Sequence, residues 1–171
     1  MKQQALHILL VFILISNISC TKADKDQYRI PENSKELISG ITGKTWKIAK
    51  RYNNGTRMNM GDCFLSYRIT YNPDTKFRDN NGEYENCGVS MIGSWEIIKD
   101  KEMNSYIKII SDQIPELMNM DRNYKYLKIL QLNKDTLKLQ FRHKQFNNTK
   151  TTIVDTYVSE DIEVKDRDFH W

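Results

Sequence analysis

The stretch that decides the fold is Tyr124-Lys125-Tyr126-Leu127-Lys128-Ile129-Leu130-Gln131-Leu132, then Asn133-Lys134-Asp135-Thr136, then Leu137-Lys138-Leu139-Gln140-Phe141-Arg142-His143. Two runs rich in aliphatic and aromatic residues flank a short polar segment. Its Asn, Asp and Thr side chains can hydrogen-bond to nearby backbone and so favour a turn. Such a pattern specifies a β-hairpin.

Outward from this hairpin, the same signature repeats. Residues 151–158 form a last strand with Ile153 and Tyr157 on one face. Residues 106–111 are β-branched and aromatic, and 94–99 carry Trp95 and Ile97 on one side. Residues 64–71 alternate, with Leu65, Tyr67, Ile69 and Tyr71 against Ser66, Arg68 and Thr70, the mark of a half-buried strand. Asn72-Pro73-Asp74 is a turn, a short strand surrounds Phe77, and Asp79-Asn80-Asn81-Gly82 is a second turn. Residues 45–52 place Trp46, Ile48 and Lys50 on one face. Before them, Asn33-Ser34 followed by Lys35-Glu36-Leu37-Ile38 reads as a capped short helix that stops at Gly40 or Gly43.

About eight strands joined mainly by hairpins predict an all-β protein, an antiparallel up-and-down barrel with a short N-terminal helix. Closure removes the exposed edges that such strands would otherwise present. A barrel of this size is either filled by side chains or holds one small ligand. Residues 111–123 break the pattern: Ile114, Pro115, Leu117, Met118 and Met120 are apolar without a strand period. They form a helical lid or a long loop packed on the barrel, and the loop is the expectation. Methionines suit surfaces that adapt to varied apolar partners.

The N-terminus carries an address. Lys2 is followed by an apolar run over 8–15 and by small residues before Cys20. This is the layout of a secretory signal, and the run is shorter than the ~20 residues of a membrane span. Asn17-Ile18-Ser19-Cys20 resembles the lipobox of bacterial lipoproteins, with Asn17 departing from the aliphatic residue usual at that place. The resemblance implies cleavage before Cys20 and acylation of its thiol and new amino group. Several acyl chains give stable anchoring at ~0.8 kcal/mol per buried methylene. The expected division is a signal peptide over 1–19, a lipidated flexible tether over 20–33, a barrel domain over 34–158 and a charged tail over 159–171. The tether is polar and without apolar period, and its Ala23-Asp24-Lys25-Asp26 loosely resembles surface-export signals of Bacteroidota lipoproteins. The tail ends in Phe169-His170-Trp171.

Export leaves about 150 residues, enough for one domain with a real core. The formal charge of +4 includes Lys2, and both signs are interspersed. Nucleic-acid binding needs a clustered basic face and is excluded. Besides Cys20, only Cys63 and Cys87 are present. In an oxidising envelope they should pair, contributing ~3–4 kcal/mol in the chain-entropy model. A metal pair is the alternative, but two thiols need further ligands, and His143 and His170 sit in no ligand-spaced motif. Neither a metal nor a cofactor is expected.

Three pieces are similar to the lipocalin-like domains of Bacteroidota lipoproteins. They are Gly43-Lys44-Thr45-Trp46-Lys47, the run from Asp62-Cys63 through Ile69-Thr70-Tyr71 to Phe77, Gly82 and Cys87, and Gly93-Ser94-Trp95-Glu96-Ile97. The resemblance spans roughly residues 37–158. The chain departs from it in the Met-rich 111–123 insertion and the long tail. Trp46 and Trp95 would be core anchors, each indole N–H needing an acceptor. Cys63 and Cys87 would tie two neighbouring strands or the loop between them.

No motif for nucleophilic, metal-dependent or phosphate chemistry is present, so no catalytic residue is expected and the chain is not read as an enzyme. Asp155 shares a face with Ile153 and Tyr157. Inward, it would be a buried acid able to hold a cationic group; outward, a solvated charge, which is the expectation. Candidate ligand contacts are therefore Met118, Met120, Asp155 and Tyr157. Asp135-Thr136-Leu137 matches a short O-glycosylation triplet known from Bacteroidota, although Asp and Thr also suit the hairpin. The functional expectation is an envelope lipoprotein, lipid-anchored through Cys20 to the outer membrane on either face. Its barrel would take a small apolar or amphipathic ligand. The competing expectation is a protein-interaction module, an inhibitor or toxin-immunity protein with no such ligand.

Overall fold

The computed structural model describes residues 28–144 and 150–168. The signal segment, Cys20, the tether up to residue 27 and Phe169-His170-Trp171 lie outside the described residues.

Among the described residues, nine antiparallel strands form one sheet that closes on itself. They are β1 (Lys44–Asn53), β2 (Thr56–Arg57), β3 (Arg68–Tyr71), β4 (Lys76–Asp79), β5 (Ile92–Lys99), β6 (Ser105–Ile110), β7 (Tyr124–Leu132), β8 (Thr136–Lys144) and β9 (Lys150–Ser159). From β3 onward each strand pairs with the next, and β1 pairs with both β3 and β9. Eight strands therefore make the closed barrel predicted from the sequence, while β2 is a two-residue flap hairpinned onto the end of β1. The deciding hairpin forms as expected, with Leu132 opposite Leu137 and Asn133 Oδ1 accepting from the N–H groups of Asp135 and Thr136.

One end of the barrel is plugged. Helix α1 (Ser34–Ser39) lies across it and ends at Gly40, whose φ of 62° falls in the left-handed region that glycine adopts without strain. Ile38 of α1, Trp46, Leu132 and Leu137 are almost wholly buried there. The Trp46 indole N–H donates to the Ile38 carbonyl at 2.8 Å, which satisfies its one polar atom inside the plug. Trp95 is 2% exposed, donates to the Asn72 carbonyl at 3.2 Å and packs edge-on to Tyr71. Ahead of Asn33, Tyr28 and Ile30 pack on the core. The Tyr28 hydroxyl both donates to the Leu132 carbonyl and accepts from the Leu132 N–H. The tether expected to run to Asn33 is thus docked from Tyr28 on.

Gly93 marks a close approach. A Cβ there would stand 2.1 Å from the Ile110 carbonyl oxygen and 2.9 Å from the Phe77 ring, so only glycine lets β5 cross β6 at this point.

Several local expectations are corrected. Lys50 does not share a face with Trp46 and Ile48. The register of β1 against β9 slips between Ile48 and Lys50, so Ala49 turns in, Lys50 turns out and Arg51 points to the interior. A bulge shifts the side-chain phase by one residue, which alternation alone does not show. A second slip in β7, between Ile129 and Gln131, changes phase in the same way. Residues 64–71 are not one strand: Asp62–Ser66 is a short helix, α2, and only the last four residues enter the sheet. The Phe64 and Leu65 N–H groups donate to the Gly61 carbonyl, closing the turn. Residues 111–123 contain a one-turn helix, α3 (Ile114–Met118), with Pro115 in its first turn and Asn119 in the left-handed conformation at its end. The C-terminal segment is bound to the barrel through Arg167. Its guanidinium donates to the carbonyls of Phe64 and Leu65, which α2 leaves unpaired, and to that of Ile48 at the β1 bulge.

Candidate functional site

The end of the barrel opposite α1 is framed by α2, by the loop between β4 and β5, and by α3. It opens into a cavity of ≈ 1170 Å³. That volume lies just above the usual range for small-molecule sites, about 300–1000 Å³. The wall is mainly apolar, with Ile69, Phe77, Ile109, Leu127, Phe141 and Ile153 pointing inward. The alternation of β6, β7 and β9 turns Ile109, Leu127, Ile153 and Tyr157 into this lining.

At the mouth, the Cys63–Cys87 disulfide joins α2 to the loop after β4, with the Cα atoms 5.3 Å apart. Both cysteines line the rim, so the bridge holds two entrance elements rather than two strands. Leu117 and Met118 of α3 line the other side. Ile114 is fully buried and anchors α3, whereas Leu117 is 41% exposed.

Polar groups interrupt the apolar wall on one side. Arg51, turned inward by the β1 bulge, meets Asp155 in a two-pronged ion pair: Nε to Oδ1 at 2.7 Å and an Nη to Oδ2 at 2.6 Å. Asp155 is 0% exposed, so the expected outward placement is wrong. Its phase on β9 follows Ile153 and Tyr157 inward, and Arg51 supplies the partner without which a buried carboxylate is prohibitive. Burial works against the Arg51 charge, but the hydrogen bonds and charge of Asp155 outweigh it and hold the guanidinium above its ordinary range. The guanidinium also stacks 4.2 Å from the Phe64 ring centre. The Tyr157 hydroxyl lies 3.3 Å from Asp155 Oδ2. Burial, then the nearby carboxylates, raise the Tyr67 and Tyr157 phenols well above their ordinary range, so both remain neutral donors.

Lys125 is the second inward cation. It is 7% exposed. Its Nζ stands 4.2 Å from the Phe141 ring centre and 3.7 Å from Met118 Sδ. Burial first, and then the charge of Arg51, bring its pKa down to about 8. His143, near it on β8, is lowered by burial and by the same two cations, which favours its neutral form. Asp79, across the mouth, accepts from the backbone N–H groups of Asn81 and Met91.

Of the four candidate ligand contacts, Met118 and Tyr157 line the cavity. Asp155 sits behind Arg51, and Met120 packs against the core outside the cavity wall. Sequence reasoning missed Arg51 and Lys125. The signal for Lys125 was present: it alternates in phase with Leu127 and Ile129. Arg51 gave none, because the bulge reverses its phase. Among the described residues no group of three or more His, Cys, Asp or Glu could hold a metal. No helix among them is long and apolar enough to cross a membrane.

A closed eight-stranded meander around an apolar cavity with one open end has room for one small molecule. Residues 41–139 match the model of the lipocalin-like domain, and the chain belongs to that family. Two solved structures are similar. One is a lipocalin-like protein from Bacteroides uniformis, 12% identical over 67% of this chain and 94% of that one, with a TM-score of 0.44. The other is a complex of bovine odorant binding protein with a selenium-containing odorant, 11% identical over 80% of this chain and 79% of that one, with a TM-score of 0.38. No curated protein matches the chain.

Proposed function

We propose that the protein is an envelope lipoprotein whose barrel binds one small apolar or amphipathic molecule without transforming it. The observation that carries the binding role is the cavity: ≈ 1170 Å³, walled by apolar side chains and open at one end. A pure interaction module has no use for such a volume, since leaving core positions unfilled lowers stability. The anchoring part rests on the lipobox-like Asn17-Ile18-Ser19-Cys20 and the apolar run before it. In this reading the lipid on Cys20 holds the carrier at the outer membrane.

Native mass spectrometry of protein purified from its own envelope tests the binding role. The expected spectrum carries one added small molecule per chain, released on unfolding. A ligand-free mass together with a stoichiometric protein partner would favour the interaction module instead. Metabolic labelling with a fatty acid tests the anchor: wild type should take the label and Cys20→Ala should not.

A further inference from the structure

Lys125 poses a problem that the barrel itself does not solve. An ammonium withdrawn from water needs a counter-charge or strong acceptors. Among the described residues no carboxylate forms an ion pair with it. Asp155 is committed to both prongs of Arg51, and Asp79 accepts two backbone N–H groups on one oxygen while burial raises its pKa toward the neutral acid. The other groups facing this part of the wall add no negative charge: His143 on β8 is held toward its neutral form, and the Tyr67 and Tyr157 phenols stay protonated. Arg51 is a like charge that makes the position worse. What touches Nζ is a thioether and an aromatic face, both weak partners.

A second group on the same wall is unsatisfied. The side-chain oxygen of Asn53 is buried without a hydrogen-bond partner. Asn53 is opposite Ile153, and Ile153 is opposite Phe141, the ring that Lys125 covers. Turned over, its amide presents N–H toward the cavity. Asn81, Asn86 and Asn119 also line the cavity, and most of the remaining wall is aliphatic, aromatic or sulfur-bearing.

We propose that Lys125 is the headgroup site for an amphipathic monoanion, whose single negative charge pairs with the ammonium while its apolar body fills the cavity between Phe77, Ile109, Leu127 and Ile153. This rests on the cavity-binding role proposed above and names its ligand class. A cationic ligand would meet Lys125 with repulsion. An uncharged one would leave the ammonium as it stands. The site is placed where α3 brings Met118 over it, so the headgroup lies under α3 and the tail runs toward the plugged end.

The test uses 11-(dansylamino)undecanoic acid and its uncharged methyl ester, titrated by fluorescence into delipidated full-length protein at pH 7. Wild type should bind the acid about tenfold more tightly than the ester, the size of one charge-assisted hydrogen bond. Lys125→Met should bind both equally, with the ester affinity unchanged, and Lys125→Arg should restore the preference. Equal binding by wild type, or a preference that survives Lys125→Met, overturns the headgroup site and leaves the cavity role standing. If neither probe binds wild type, the cavity role falls and the headgroup site with it. Thermal melting confirms that each variant folds before it is titrated.

Discussion

Replacing Lys125 with methionine removes a charge and keeps an unbranched side chain of similar reach. In the ligand-free protein the ammonium is 7% exposed and has no carboxylate partner among the described residues. Its pKa falls from 10.5 to about 8, by burial and then by Arg51. At 1.36 kcal/mol per pH unit this corresponds to about 3 kcal/mol lost in keeping the side chain protonated on folding. Because the folded pKa lies below the unfolded one, the unfolded chain binds more protons between about pH 8 and 10.5. Stability attributable to this group therefore rises with pH across that window, and the penalty is fully present below it. Lys125→Met should be more stable than wild type by up to about 3 kcal/mol at pH 7, shrinking to under about 1 kcal/mol at pH 10. Urea denaturation of both delipidated proteins at the two pH values measures this, and tyrosine titration, common to both, cancels in the difference. A variant no more stable than wild type at pH 7, or a gap of the same size at pH 10, would refute the claim that Lys125 is buried without a counter-ion.

Two further outcomes follow from the same wall. Arg51→Met strands Asp155 at 0% exposure and should destabilise by about 3–5 kcal/mol; a loss under about 1 kcal/mol in equilibrium unfolding would mean the pair is not structural. Removing the disulfide with Cys63→Ala and Cys87→Ala opens a loop of 24 residues' separation and should cost about 3 kcal/mol. Because the bridge sits at the mouth, hydrogen exchange should rise first in residues 61–67 and 84–91, with β7 to β9 keeping their protection.

The sheet was legible because each barrel strand buries one face, and a period of two then appears in the sequence. The hairpin of β7 and β8, the aromatic anchors Trp46 and Trp95, and the halt of α1 at Gly40 could all be read from residue type and spacing. What was lost was phase. One extra residue in β1 at Ala49 exchanges Lys50 for Arg51 on the inner face, and no propensity marks it. Asp155 was expected outside because an acid usually is; its partner lies 104 positions away, and only the β1–β9 closure brings the two together. Helix α2 was hidden because alternation over 64–71 runs unbroken through it. The helix exists for tertiary reasons: Cys87 holds Cys63, and Arg167 donates to the carbonyls at its end. Lys125 was visible in phase with Leu127 and Ile129, but a lone lysine in an apolar face reads as a snorkelling surface residue until the barrel closes around it.

A small ligand held inside the barrel must respond to the size of the side chains that wall it. Ile109 lines the cavity from β6, so Ile109→Trp would obstruct it from within while adding apolar contact. Fluorescence titration of an uncharged apolar probe into wild type and Ile109→Trp tests the claim most directly. Wild type should show saturable one-to-one binding, with at least a tenfold loss in a variant that melts no lower. Binding of equal strength in both proteins would place the probe outside the barrel and contradict the claim.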